Sequence, residues 1–331
     1  MGECVGLPSR RAVLGGAGAL AAASLSGRLL AMDDAPPLSR RLGVQLYMLG
    51  KLSIAELPAQ LKALRETGYR EVETSPLPGA SAEALRTELD RAGLACPSCH
   101  IGLESMAPGM LSLADPEPAA AYAKALGANH VVVALFPFMS ALKRRPDAQA
   151  VLSDLKRLGP VIGDIARSMT PEDWTDVARR LNEAGGKLAA AGLRVGYHNH
   201  NVEFVRLANG QSAFDLLVAQ TDPKLVDFEL DLGWVAAAGI DPAGLLKRLG
   251  PRVSQLHLKE LAATPANTAL KINSADLGAG VQDWPAIADA IGASSVRHAY
   301  VEQEPPYAPS GLEAARRGYA FIQPLLAGKG L

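Results

Sequence analysis

A (β/α)8 barrel in a single domain is the fold this sequence predicts, and three observations carry the prediction. From Leu42 onward, short β-branched runs alternate with longer Ala/Leu-periodic segments. Eight such strand–helix repeats fill about 290 residues, the span of a closed α/β barrel. No strand runs into the glycine-rich turn that marks a doubly wound dinucleotide fold.

The chain has 331 residues, 48% of them hydrophobic and 20% charged, and a formal net charge of −1. That is enough apolar content for a sizeable core. With no basic run, it argues against nucleic acid or an anionic membrane as the main partner. The "HNH" string at 198–200 is therefore not read as a nuclease module, which needs a basic phosphate-gripping surface.

Taken in chain order, residues 1–31 stand apart from the fold. Arg10 and Arg11 precede a mildly apolar Ala/Gly-rich stretch too short to span a bilayer as a stable helix. This resembles a twin-arginine export signal, a receptor-read address rather than an anchor. It implies the Tat translocase as a partner during export, a periplasmic location and no permanent membrane anchor. The barrel is expected over 40–331. Its strand candidates are "LGVQLYM", "REVET", "LACPSCHI", "HVVVALF", "LRVGYHNH", "LVDFELD", "VSQLHLK" and "HAYVEQ". Helical segments such as "SAEALRTELDRAG" and "DWTDVARRLNEAGGKLAAAG" separate them, with Gly93 and Gly192 at the C-terminal stops. Cys96 and Cys99, three apart on a strand, point to opposite faces and are expected to be separate thiols. The connection between the fourth and fifth strands is roughly 60 residues long, far above the usual length. Its segment at about 137–172 is expected to add a lid-like helix over the barrel mouth.

Active sites of such barrels lie at the C-terminal strand ends, so position along each strand is a test of function. Glu203, Asp231, His257 and Glu302 follow from strands five, six, seven and eight, and Glu73 ends strand two. Three carboxylates and one imidazole gathered at one point repel each other unless a divalent cation sits between them. Oxygen-rich ligation with one nitrogen suits Mn²⁺ or Mg²⁺ and also accommodates Co²⁺ or Zn²⁺. His130 and His298 begin their strands and are read as structural.

The motifs "GVQLY", "GYREVE", "YHNHNVEF", "ELDLGW", "HLKE", "GAGVQDW" and "YVEQEPP" together resemble the xylose isomerase-like barrels grouped as sugar phosphate isomerases/epimerases. The resemblance spans nearly all of the chain after residue 31. It implies a metal held by Asp231, His257 and Glu302 with a ligand from strand five. Strand five departs from the family pattern: in strict register its metal position is taken by His198, and Glu203 comes five residues later. Either Glu203 bends back to complete the site, or His198 or His200 supplies a nitrogen. Glu203 is the preferred ligand here, with the two histidines turned toward substrate.

The activity expected is a metal-dependent sugar isomerase or epimerase working through an enediolate. Glu203 and Glu302 form the proton-transfer pair, and Glu73 serves as a further acid. Gln45, Tyr47, His100, His198, His200, Trp234 and Lys259 are expected to bind the substrate. Export and the lack of an Arg/Lys cluster at the last strand ends point to an unphosphorylated keto-sugar or 3-keto-glycoside. Elimination or net hydrolysis of a 3-keto-glycoside, or an inosose-type dehydration, is the alternative on the same site. A non-catalytic periplasmic sugar-binding barrel is the alternative outside enzymes. An amidohydrolase is disfavoured because its H-x-H closes the first strand.

Overall fold

The computed structural model describes residues 1–2, 36–50, 55–107, 109–263 and 270–331, and Pro37–Leu331 forms one compact unit. Apart from its first two residues, the expected export signal at 1–31 lies outside the described residues. Eight parallel strands close a barrel in sequential order. They are β1 (Gly43–Gln45), β2 (Glu71–Thr74), β3 (Ala95–His100), β4 (His130–Val133), β5 (Arg194–His198), β6 (Val226–Asp231), β7 (Val253–Leu258) and β8 (His298–Val301). Among the described residues, no helix is long and apolar enough to cross a membrane.

Local chemistry sets the helix ends. Ser81 caps the helix Ala82–Ala92 by accepting from Ala84 N, and Gly93 closes it in the left-handed region at φ 70°. Thr170 and Asp173 make a reciprocal capping box at the start of Pro171–Ala189. The insertion ahead of that helix holds three helices, Met139–Lys143, Ala148–Ser153 and Leu158–Ser168. Cys96 and Cys99 are both free and buried. Burial pushes the Cys96 thiol up to about 12, which leaves it inert.

Side chains alternate across each strand, so every second residue fills the barrel interior. At the N-terminal end, His298 Nδ1 lies 2.7 Å from Glu71 Oε2, and His130 Nε2 lies 3.4 Å from Asp227 Oδ2. These pairs give buried carboxylates polar neighbours far from the mouth. Glu260, just after β7, is also fully engaged. It accepts from the backbone N–H of Leu261, Gly278, Val281 and Gln282 and from the Trp284 indole at 2.6 Å. It therefore pins the long loop that follows β7.

Gly43 on β1 is read by Tyr300 on β8. A Cβ at Gly43 would lie 2.4 Å from a carbon of the Tyr300 ring, which is fully buried and cannot give way. Gly43→Ala should therefore lower stability by about 1–3 kcal/mol, the usual cost of overpacking. Urea denaturation checks this, and an unchanged midpoint would mean the ring can move.

Candidate active site

The inward-facing strand ends converge at the C-terminal mouth. Gln45, Tyr47, His100, His198, His200, Trp234, Lys259 and Glu302 line one cavity of about 610 Å³. Leu158, Gly159 and Ile162 of the β4–β5 insertion form part of its wall. Glu73, Asp231 and His257 are fully buried just inside the barrel and touch that lining from within.

His257 is clamped at both ring nitrogens, with Nδ1 2.7 Å from Glu302 Oε2 and Nε2 2.7 Å from Glu73 Oε2. His198 places Nδ1 3.0 Å from Glu229 Oε2 and Nε2 3.9 Å from Asp231 Oδ2. His100 Nε2 lies 2.8 Å from Glu73 Oε2 and 3.1 Å from Glu229 Oε2. Gln45 donates to Glu73 Oε2 at 2.9 Å, and Ser98 donates to Glu73 Oε1. The Lys259 ammonium sits 3.0 Å from Asp231 Oδ2, 2.8 Å from Glu302 Oε2 and 3.0 Å from Glu304 Oε1. It also lies 5.2 Å from the centre of the Trp234 ring, and the His200 ring stacks at a tilt 5.1 Å away on the same indole. Asp231 begins the helix Leu232–Ala237, and its Oδ1 accepts from Trp234 N at 2.8 Å. That leaves Oδ2 to the site.

Glu203 is not among these groups. The chain turns after His198, and a 3₁₀ segment, Val202–Phe204, sends the carboxylate back behind β5. There it accepts from the Tyr197 hydroxyl and from His200 N, both at 2.9 Å. Tyr197 neighbours His198 on the strand and so faces the helix layer rather than the barrel interior. Glu203 is thus a buried brace for the β5 turn, and the strand-five side chain that faces the site is His198. Two carboxylates at the site went unread in the sequence, Glu229 and Glu304. For Glu229 a signal exists: it precedes Asp231 by two residues and must share its face.

Burial works against ionisation throughout, and the neighbours decide the outcome. For Glu73, the charges and hydrogen bonds of His100 and His257 outweigh desolvation and hold the carboxyl well below its usual range. His257 is held well above the usual imidazole range because Glu229 and Glu302 outweigh its burial. His100 is raised to about 10, its desolvation overcome chiefly by Glu73. Burial, reinforced by His257 and His200, keeps His198 neutral. His200 is pushed down to about 3 by burial and the Lys259 charge. Glu229 rises to about 7 through burial and the Glu73 charge.

A model of the xylose isomerase-like TIM barrel family matches residues 61–325, most of the chain. The chain belongs to this family. Among curated relatives, an inosose dehydratase of Clostridium tetani is 33% identical over 92 residues, which is 28% of this chain and 30% of that protein. The matched stretch is thus about a third of the length of that relative. Among solved structures, a sugar phosphate isomerase/epimerase of Parabacteroides distasonis is similar with TM-score 0.66 and 19% identity, covering 86% of this chain and 97% of that one. The IOLI protein, solved with a zinc atom, is similar with TM-score 0.62 and 14% identity over 87% and 98% of the two chains. A xylose isomerase-like barrel of Mycobacterium smegmatis, solved with magnesium, has TM-score 0.59 and 16% identity over 87% and 97%.

In this xylose isomerase-like barrel the donor set fits a divalent ion. Asp231, His257 and Glu302 bring one ligand atom each to within 4.8 Å of the others. Asp231 Oδ2 is buried and has no hydrogen bond of ordinary geometry, although the Lys259 ammonium is near. His198 and His257 each turn one ring nitrogen to a buried carboxylate and the other toward this point, the usual way to orient ligating imidazoles.

Glu203 yields a test of its own. Burial raises its carboxyl to about 7, so the folded chain holds the proton more tightly than the unfolded one. The stability this adds is full below the ordinary carboxyl value and is lost as pH rises through about 7. The wild type should lose roughly 2–4 kcal/mol across that window, and Glu203→Gln should flatten the loss. Denaturation curves between pH 4.5 and 8 measure it; parallel pH profiles for both proteins would refute the brace.

Proposed function

We propose that this barrel is a metal-dependent enzyme that removes the proton beside the carbonyl of an unphosphorylated keto-sugar or 3-keto-glycoside. The observation that carries the reading is the pair of carboxylate-clamped imidazoles, His198 and His257, facing Asp231 and Glu302. A divalent ion held by these four residues would polarise the carbonyl and stabilise the enediolate. Two nitrogens and two oxygens shift the preference from Mg²⁺ toward Mn²⁺, Co²⁺ or Zn²⁺.

Glu302 faces the cavity, and the charges of Lys259 and His257 outweigh its burial and keep it ionised. It is therefore always ready to take a proton but is a weak base, so it needs a substrate whose C–H is already acidified. Lys259 stays charged, because Asp231, Glu302 and Glu304 outweigh its desolvation. It acts as a hydrogen-bond donor to the developing oxyanion, not as a nucleophile. The Trp234 indole N–H and His200 Nδ1 are buried without partners, which leaves a donor and an acceptor for sugar hydroxyls.

Two courses follow from the enediolate. Returning the proton gives isomerisation or epimerisation, and expelling a group from the next carbon gives a lyase. Inversion by two opposed carboxylates depended on Glu203, which faces away from the cavity. The carboxylates lining the cavity, Glu302 and Glu304, come from one strand end, and His198 and His200 come from another. Carboxylates at one strand end favour elimination: Glu302 takes the proton, the C–H electrons form the alkene, the C–O bond breaks with its electron pair on the aglycone oxygen, and that oxygen takes the proton back from Glu302 to leave as the alcohol. The local likeness to an inosose dehydratase points the same way. Among the described residues, the cations lining the cavity are Lys259, Lys271 and His100; Lys259 is committed to three carboxylates and His100 to two. That leaves little to grip a phosphate and fits a substrate met in the periplasm after twin-arginine export.

Metal content tests the ligand set. His198→Ala and Asp231→Asn should each lose most bound divalent metal, and Glu203→Gln should keep it, by elemental analysis of purified protein. Metal lost only from Glu203→Gln would return strand five to the carboxylate reading. The reaction course has a separate test. Glu302→Gln, assayed with excess metal, should lose at least about 10²-fold in turnover, the lower range for a positioned base. Deuterium at the carbon beside the carbonyl should slow aglycone release by the wild type. An inverted sugar with its aglycone intact would favour the epimerase course, and aglycone release without an isotope effect would favour direct hydrolysis.

A further inference from the structure

A second cavity of about 650 Å³ adjoins the first above β2 and β3. Ser75 and His100 line both cavities and so stand at their common boundary. The walls of the second cavity come from the β2 loop, the start of the helix Ala82–Ala92, the β3 loop and the helix Pro116–Leu126. They are largely apolar, with Leu77, Pro78, Ile101, Met110, Leu111 and Tyr122 as the main surfaces. Ile101 is buried in the core, whereas Met110 is 55% exposed at the rim, an unusual position for a large apolar side chain.

The two chambers differ in chemistry. The first presents Lys259, His200, Gln45, Glu302 and Glu304 to a ligand. In the second, the side-chain polar groups beyond that boundary are Ser81, Glu83 and the Tyr122 hydroxyl. A second sugar ring placed there would bury hydroxyls with few partners, which is costly. An aryl or alkyl group would instead bury apolar surface against apolar walls, which is favourable. Either chamber alone falls in the size range of an ordinary ligand pocket, so together they exceed what one sugar ring needs.

We infer that the second chamber is the subsite for an apolar aglycone, so the substrate is a 3-keto-glycoside carrying an aryl or alkyl group. This rests on the keto-glycoside reading above for the sugar half and on the chamber alone for the apolar half. The sugar sits at the ionisable cluster, and the glycosidic oxygen lies at the boundary beside His100. The aglycone, protonated on its oxygen as the bond breaks, therefore departs as a neutral alcohol into an apolar space.

The test uses the full chain and two independent probes. The first is the affinity of methyl and phenyl forms of one 3-keto-glycoside, measured by calorimetry on wild type, Leu77→Gln and Met110→Gln. The phenyl form should bind about 10- to 100-fold more tightly to wild type, and the gap should close in both variants. The second is the Met110 methyl signal of protein labelled at its methionine methyls, assigned with Met110→Leu and followed as free p-nitrophenol is added. The signal should shift and saturate. If the glycosides bind or turn over while the phenyl form gains nothing and the Met110 signal stays still, the aglycone subsite is wrong and the sugar reading stands. If p-nitrophenol moves Met110 but neither glycoside binds, the apolar site stands and the keto-glycoside reading falls. An affinity gap that survives in both variants overturns the subsite's location.

Discussion

His257 holds Glu302 on one ring nitrogen and Glu73 on the other, each at 2.7 Å, and it is fully buried. Through this one ring, strand seven ties strand eight to strand two across the barrel interior. Buried charges are tolerable only when paired, and removing one partner leaves the others uncompensated. The same constraint runs outward: Glu73 is shared with His100, Gln45 and Ser98, and Glu302 with Lys259. The geometry of the mouth thus follows from a network in which each carboxylate already has its cation or donor.

That network explains what the sequence could and could not show. The eight strands were legible because short strand-like runs alternate with longer Ala/Leu-periodic segments, and the barrel closes in the order the chain visits them. Asp231, His257 and Glu302 were legible for the same reason, since position along a strand fixes which end of the barrel a side chain serves. Glu229 lies mid-strand in a run that reads as buried core, and its role rests on partners from three other strands. Only the two-residue spacing from Asp231 marked it.

Glu203 shows the opposite limit. Its distance along the chain from His198 was right for bending back to the mouth, but a turn has two directions. The backbone N–H of His200 and the Tyr197 hydroxyl took the carboxylate instead. Nothing in local composition separates a carboxylate that reaches a site from one that braces the turn beside it. Strand register, by contrast, fixes where His198 lies, because β5 pairs with β4 and β6 and sets His198 opposite Glu229. The β4–β5 insertion was legible as excess length, but its division into three helices depends on packing at the cavity wall.

The charge balance at the mouth also explains two residues with no place in the ligand set. Glu73, Glu229, Asp231 and Glu302 face Lys259 and two imidazoles whose surroundings favour the protonated form, His100 and His257. For Asp231, His257 and Glu302 to hold a divalent ion, Nδ1 of His257 must be free of its proton, so affinity must climb with pH. The Lys259 ammonium must also withdraw from both carboxylates, which its flexible stem allows. Glu304, 3.0 Å away and one residue beyond Gln303, gives that ammonium a partner that is not itself a ligand. Lys259 and Glu304 therefore belong together. The lysine neutralises Asp231 and Glu302, and the glutamate gives the lysine a partner at the mouth that depends on neither.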